Sequence, residues 1–394
     1  MFTHSRKQNI VELCQELIRE KSISGQEDKI VEKLKHVFTA LGYDEMVIDE
    51  YGSIIGHIKG KRSGNKILLD AHIDVVPVPD ATKWKHEPYG GDIENGRIYG
   101  RGTSDMKGAL SAMICAASYF AEDLKRDFSG DIYVSGVVHE ECFEGLAARK
   151  VSAAVNPDYV VIGEASGCNV VAGQKGRAEI VIETYGKPAH SATPHEGINA
   201  VYKAVGLMGK IRCIPSTHHD LLGDGLLELT DIMSSPYPGA SVVPEYCKMT
   251  YDRRILVDET RETVLKPILA AIAEQEKEDR DFRARAFYAC GEEKCYTGQT
   301  ISGERFFPGW LIDENDDYVR AVYDALQDAG LNPEIEYYKF CTNGSHYAGE
   351  AGIKTIGFGP SFANLAHTVD ESIDIGQLLK GAEGYYAILQ RLLN

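Results

Sequence analysis

The sequence predicts an α/β protein: a mostly parallel sheet flanked by helices, with a smaller α+β segment of ferredoxin-like order inserted into it. Two observations carry this reading. Short apolar runs at residues 66–69, 131–138, 159–163 and 354–359 read as buried strands, with helical spacing in stretches between them. From about 176 to 290 the rhythm changes to strand, helix, strand, strand, helix, strand, the split order of a separate unit. A chain of 394 residues has room for two or three domains. The reading divides it into a first domain of residues 1–174 and 291–394 and an inserted domain of 175–290.

Taken in order, apolar residues recur at helical spacing over 10–21 and about 27–41, separated by the turn Ser22-Ile23-Ser24-Gly25. Strands are expected at 46–49, 54–58 and 66–69, and a helix over the alanine-rich 106–120. Between them Trp84-Lys85-His86-Glu87-Pro88-Tyr89-Gly90-Gly91 reads as an ordered loop. Within the insert, alternation over 177–184 predicts a half-exposed strand, followed by a helix over 199–211. Strands at 226–233 and 241–252 flank the turn Pro236-Tyr237-Pro238-Gly239. A helix over 259–277 and a strand over 281–288 complete the unit.

Forty-two basic against 59 acidic residues give a net charge of -17, which repels phosphate backbones and anionic membrane surfaces. Nucleic acid and membrane are therefore not expected as partners. No apolar run approaches the roughly 20 residues that span a bilayer, and no apolar signal core follows the first residues, so a cytoplasmic protein is expected. The nine cysteines form no Cys-x-x-Cys pair, which fits reduced thiols packed as small hydrophobes. Any metal ligands are then oxygen and nitrogen.

Each of the four apolar strands runs into a His or a Glu. His72, with Asp74 two residues on, follows 66–69; Glu140-Glu141 follows 131–138; Glu164 follows 159–163; and His367 follows 354–359 after a short loop. In a mostly parallel sheet the carboxyl ends share one edge, where α/β proteins place their chemistry. Asp105 stands in the Gly-rich turn Gly100-Arg101-Gly102-Thr103-Ser104-Asp105 before the 106–120 helix. Taken singly, His72 beside Asp74 is a polar pair at a strand end, Glu140-Glu141 a solvated strand end and Asp105 a helix cap. Those readings give no reason for all of them to fall in this order, whereas imidazoles and carboxylates converging on one edge suit a divalent metal.

With these residues in view, the chain resembles the co-catalytic zinc hydrolase family of acetylornithine deacetylase, succinyl-diaminopimelate desuccinylase, aminoacylase and carboxypeptidase-G-type enzymes. The likeness extends to Gly186-Lys187-Pro188-Ala189-His190-Ser191, Gly197-x-Asn199-Ala200 and Asp252-Arg253-Arg254. Thr342-Asn343-Gly344 and Gly357-Phe358-Gly359-Pro360 are most similar to a bacterial peptidase branch associated with selenium metabolism. The resemblance implies a zinc-peptidase-like first domain and an inserted lid and dimerisation domain. It implies two Zn²⁺ per chain, one held by His72 and Glu164, the other by Glu141 and His367, with Asp105 bridging; Co²⁺ or Mn²⁺ also suits such donors.

The same resemblance makes Glu140 the general base and places the Asp74 carboxylate against His72. It implies a cis peptide after Asp105, gives His190 a hydrogen bond to the substrate carbonyl oxygen, and assigns Arg254, Asn343 and Gly359 to substrate binding. The sequence departs from the family pattern at His139, where Asp is usual, and at Gly145, where the Gly after the Glu pair comes late. The implied reaction is hydrolysis of a linear amide in an N-acyl or N-carbamoyl amino acid or short peptide, by a homodimer joined through the insert. A di- or tripeptide aminopeptidase is the alternative. A non-catalytic binding protein on this fold is the further rival; loss of Glu140 or of a ligand would have favoured it, and none is lost. His86, His139, His195, His218, His219 and His346 are read as surface or supporting residues.

Overall fold

The computed structural model describes residues 2–394. It divides into two compact units, Met1–Gln174 with Glu292–Ile301 and Trp310–Asn394, and Lys175–Gly291 with Ser302–Gly309. The return of Ser302–Gly309 to the second unit differs from the sequence division, which leaves that segment in the first. Its cause is the buried pair Phe306–Phe307, which adds to strand Gly176–Tyr185 with Phe306 opposite Ala178.

The first unit is built on a nine-stranded sheet. Its centre is four parallel neighbours in the order Ser129–Val137, Arg62–His72, Tyr159–Ile162 and Lys354–Gly357. These are the four apolar runs of the sequence, and burial on both faces explains why they are continuous in apolar character. The register puts their ends level: His72 lies opposite Val137, Asp70 opposite Ile162, and Ile162 opposite Gly357. Antiparallel strands flank this centre, Ile54–Lys59 and Glu45–Ile48 on one side and Val170–Gln174 with Trp310–Leu311 on the other, and Ile335–Tyr338 adds in parallel to Val170–Gln174 as the ninth strand. Helices His4–Arg19, Gly108–Asp123 and Ile375–Leu393 pack against one another and the sheet.

Helix Gly108–Asp123 is buried from Gly108 to Ala121, which is why its sequence is rich in alanine and has no polar stripe. It begins two residues later than the sequence predicts. Asp105 (φ -135°, ψ 90°) and Met106 (φ -138°, ψ 33°) are not helical, so Asp105 does not cap the helix. The second unit carries the β-α-β-β-α-β order on an antiparallel sheet of Leu226–Ser235, Tyr246–Ile255, Gly176–Tyr185 and Arg283–Tyr288. Helices Ala200–Ile211 and Arg261–Glu278 cover one face, burying Ala178, Ile180 and Ile182. Their starts are fixed by Asn199, which accepts from Val201 and Tyr202, and by Thr260 in a reciprocal bond with Thr263.

Ile182 has no exposed surface in this core. Ile182→Ala is expected to lower stability by roughly 2–5 kcal/mol, read as a fall in the denaturation midpoint of the protein; an unchanged midpoint would show that the site collapses without cost.

Candidate metal centre

At the level carboxyl ends of the four parallel strands, two imidazoles and four carboxylates converge. His72 is the last residue of its strand, and its Nε2 lies 2.8 Å from Asp105 Oδ1 and 3.5 Å from Glu164 Oε1. His367 Nε2 lies 3.0 Å from the other oxygen, Asp105 Oδ2, and 3.1 Å from Glu141. Asp105 thus shows one oxygen to each of two His–Glu pairs. Glu140 converges with His72 and Glu164, their donor atoms within 4.8 Å of one another. The side chains of His72 and Glu164 are 1% and 8% exposed, but that of His367 is 49% exposed, so the cluster opens on the His367 side. His139 and His367 have positive φ, 55° and 61°, a conformation uncommon for residues with a side chain. The peptide Asp105–Met106 is cis.

The donor set fits divalent cations. Donors on one tetrahedral ion lie roughly 3.3–3.6 Å apart, given bonds of about 2.0–2.2 Å, close to the spacing seen here. Charge points the same way. Burial pushes Glu140 well above the usual carboxylate range, with Glu164, Glu141 and Glu144 adding to the effect against His72. Burial, and then Asp105, push Glu164 up to about 8. Burial alone would lower His72, but its bond to Asp105 and the surrounding carboxylates carry it well above its ordinary value. Bonds to Asp105 and Glu141 push His367 up to about 10. Without cations the site therefore holds protons in their place.

The expected bond between His72 and the Asp74 carboxylate is not what holds the imidazole. His72 Nδ1 is 2.9 Å from the backbone carbonyl of Asp74, while the nearer carboxylate oxygen is 3.7 Å away. The carbonyl acceptor fixes the proton on Nδ1 and leaves Nε2 as the donor atom for a metal. The Asp74 carboxylate accepts instead from the backbone N–H groups of Glu140 and Glu141, at 3.0 and 3.2 Å, and from Ser24 Oγ at 2.7 Å. It holds the turn that carries the Glu pair.

Two residues assigned to substrate binding have other work. Asn343 is buried, its amide donating to Asp70 and accepting from Gly145 N–H, both at 3.0 Å. That bond also accounts for the late glycine, since Gly145 has φ 96°. Gly359 lies so close to the end of the Glu164 strand that a Cβ would sit 2.2 Å from Gly163 O and 2.4 Å from Glu164 O. Its N–H donates to Ser166 Oγ and its carbonyl accepts from Cys168 N–H. The ordered loop at 84–91 is tied down by Asp370, which accepts from Lys85 and His86 N–H, and by the Pro88 carbonyl, which accepts from Arg101 N–H.

Sequence reading missed Glu371 and Arg101. Glu371 accepts from the backbone N–H groups of Gly102, Ser104 and Asp105 and pairs with Arg101. An acid in a loop four residues after His367, beside Asp370, carries no periodicity that would mark it.

His190 and Arg254 belong to the second unit. His190 is exposed, and its Nδ1 accepts from Ala192 N–H at 3.0 Å, so the neutral ring carries its proton on Nε2 and presents a donor there. Arg254 Nε pairs with Asp252 at 2.9 Å, and Arg177 holds the other oxygen of the same carboxylate at 2.7 Å.

Level strand ends carrying paired His and Glu around a shared Asp define a metal-dependent hydrolase of the metallopeptidase type. The chain belongs to peptidase family M20/M25/M40, whose family model matches residues 68–391. It is 31% identical over 375 residues to the uncharacterized protein YgeY of Escherichia coli K12, covering 93% of this chain and 90% of that one. It is 24% identical to the succinyl-diaminopimelate desuccinylase of Cereibacter sphaeroides, covering 97% of each. Among solved structures it is similar to aminopeptidase PepT of Bacillus cereus, with a TM-score of 0.76, 21% identity and 98% of each chain covered.

The raised imidazoles set the pH dependence of metal uptake. Near pH 7 the metal-free site holds protons on both histidines, and ligation requires neutral rings, so uptake expels protons and tightens as pH rises. The sign for stability follows. The contribution of His367 to the metal-free fold is complete below about 6.5 and lost as pH climbs through about 10; that of Glu164 is complete below about 4.5 and lost towards about 8. Calorimetry in two buffers of different ionisation enthalpy should show proton release on adding Zn²⁺, and the gain in Tm on loading should be larger at pH 8 than at pH 6. Equal gains would contradict this.

Proposed function

We propose that the protein is a dinuclear zinc amidohydrolase that cleaves the linear amide of an N-acyl or N-carbamoyl amino acid or of a short peptide. One observation carries the reading: the two oxygens of Asp105 face two separate His–Glu pairs, His72 with Glu164 and His367 with Glu141. Cations held there supply Lewis-acid activation of a water and of the scissile carbonyl.

The chain's own residues do the rest. Glu140, buried beside His72 and Glu164, takes a proton from the attacking water and delivers it to the leaving amine nitrogen. Its backbone is held by Asp74, which fixes where the carboxylate stands beside the donors. His190, with its proton on Nε2, donates to the developing oxyanion. Arg254 presents a planar guanidinium suited to a substrate carboxylate. Hydrolysis of N-acylated, N-carbamoylated and free-amine dipeptide substrates, with Zn²⁺, Mn²⁺ or Co²⁺ restored to the apo-protein, tests the substrate class. Turnover of only free-amine di- and tripeptides would select the aminopeptidase alternative, and no turnover of any class would reject the reading.

Glu140→Gln keeps the shape and removes the proton acceptor. It should retain metal while activity falls by about 10²–10⁴-fold, measured as kcat on the best substrate of that screen. Wild-type turnover would assign the base to another group.

The quaternary proposal is a twofold dimer through the second unit, with His190 serving the partner's site. Strand Leu226–Ser235 supports it, being an outer edge of its sheet with Leu226, Ile232 and Met233 exposed. Glu140→Ala and His190→Ala proteins, each inactive alone, should regain activity when dissociated and reassociated together. Proven heterodimers without activity would reject action in trans.

A further inference from the structure

The turn that carries Asp105 is not held by helix hydrogen bonds. Because Asp105 and Met106 are non-helical, the N–H groups of Gly102, Ser104 and Asp105 need acceptors from elsewhere. One oxygen takes all three: Glu371 Oε1 accepts from Gly102 at 3.0 Å, Ser104 at 2.9 Å and Asp105 at 3.2 Å. Its other oxygen, Oε2, meets the guanidinium of Arg101, which lies over the Trp84 ring at 5.4 Å. Glu371 has no exposed surface and Arg101 is 4% exposed.

A buried ion pair of this kind is costly to desolvate, and apolar filling of equal volume often stabilises a fold as well or better. Its placement needs another reason. The three N–H groups belong to the turn whose last residue aims one carboxylate oxygen at His72 and the other at His367. A charged acceptor grips several N–H groups more tightly than a neutral one. Gly102 supports the same geometry, since at φ 90° a Cβ there would lie 2.8 Å from Val75.

We propose that Glu371, clamped by Arg101, is a positioning residue that fixes the backbone of the Asp105 turn and so aims both oxygens of Asp105 at once. The proposal rests on the reading of Asp105 as the ligand shared by two ions. It differs from any terminal ligand in its consequence. Loss of Glu164 or Glu141 disturbs one metal position more than the other, whereas misorientation of Asp105 disturbs both.

Glu371→Gln tests this. The glutamine keeps one acceptor oxygen, but its amide nitrogen faces the guanidinium, donor against donor, so either the N–H cradle or the clamp is lost. Zn²⁺ affinity is read by competition with a chromophoric chelator, the visible spectrum of the Co²⁺-loaded protein reports ligand geometry, and thermal unfolding of the metal-free protein reports the fold. The expected result is a protein that unfolds cooperatively, binds both ions about 10- to 100-fold more weakly and shows an altered Co²⁺ spectrum, while Glu164→Ala weakens one ion preferentially. A folded Glu371→Gln protein with wild-type affinities and spectrum overturns the proposal, as does weakening confined to one ion of two. If Glu371→Gln does not fold, Arg101→Gln is read by the same criteria, because it removes the clamp and leaves the acceptor oxygen in place. Should the wild-type protein bind a single ion, the dinuclear reading fails by that count, and the affinity of that one ion still decides for or against Glu371.

Discussion

Six ionisable side chains gathered into one pocket, most of them out of water and only His367 half exposed, are the constraint on which the rest of the first unit depends. His72, His367, Asp105, Glu140, Glu141 and Glu164 cannot all carry their ordinary charges there, because burial penalises each charge and like charges repel. Proton binding, favoured on Glu140 and Glu164 by burial and on the histidines by their carboxylate neighbours, is one solution. Cations are the other. Such a pocket requires a rigid frame to keep its donors together. The frame is the register of four parallel strands, which places His72, the Glu140 turn and the Glu164 turn at one level.

Around the donors, the protein spends further buried polar groups on holding backbone rather than on touching the pocket. Asp74 grips the Glu140–Glu141 turn through two N–H groups, and Glu371 grips the Asp105 turn through three. Asp70, one strand position pair before His72, accepts from Ser135, Tyr347 and Asn343 and so ties three segments to the central strand. Lys107 is fully buried, donates to the Glu20 carbonyl at 2.8 Å, and is pushed by burial down to about 7. Asp74, Glu371 and Lys107 each fix main chain directly through backbone N–H or C=O groups, whereas Asp70 does so through the side chains it binds. That is how loop residues reach the precision a metal site requires.

Much of this was legible in the sequence, and what was not shares a physical cause. The four central strands were visible because burial on both faces makes them continuous apolar runs, and each strand-end His or Glu was visible because it interrupts such a run. The insert was visible because helical and alternating periods succeed one another in a fixed order. The helix start at Gly108 was not, because Met106 and Lys107 are good helix formers by type while the backbone at Asp105 and Met106 departs from the helix. Asp74 was expected to reach His72 through its carboxylate, and it is its backbone carbonyl that does so. Asn343 and Gly359 were assigned to substrate binding, and the structure shows them in hydrogen bonds to Asp70, Gly145, Ser166 and Cys168, while Glu371 was overlooked. Contacts between residues far apart in the chain, such as Glu371 with Gly102, leave no mark on local pattern.

The insertion itself follows from where it leaves the sheet. Strand Val170–Gln174 ends at Gln174, and the chain resumes the sheet at Trp310, directly opposite Gln174 in an antiparallel pair. Exit and re-entry are therefore neighbours across one ladder, so a whole unit can be placed between them without breaking a strand of the parallel centre. The converging donors come from residues 72–164 and 367, all within the first unit. The second unit adds no donor to the cluster. Its own surface carries His190, whose Nδ1 accepts from Ala192 N–H, and Arg254, which shares the Asp252 carboxylate with Arg177. The donor cluster and these two side chains therefore stand on separate units, each held by contacts within its own unit.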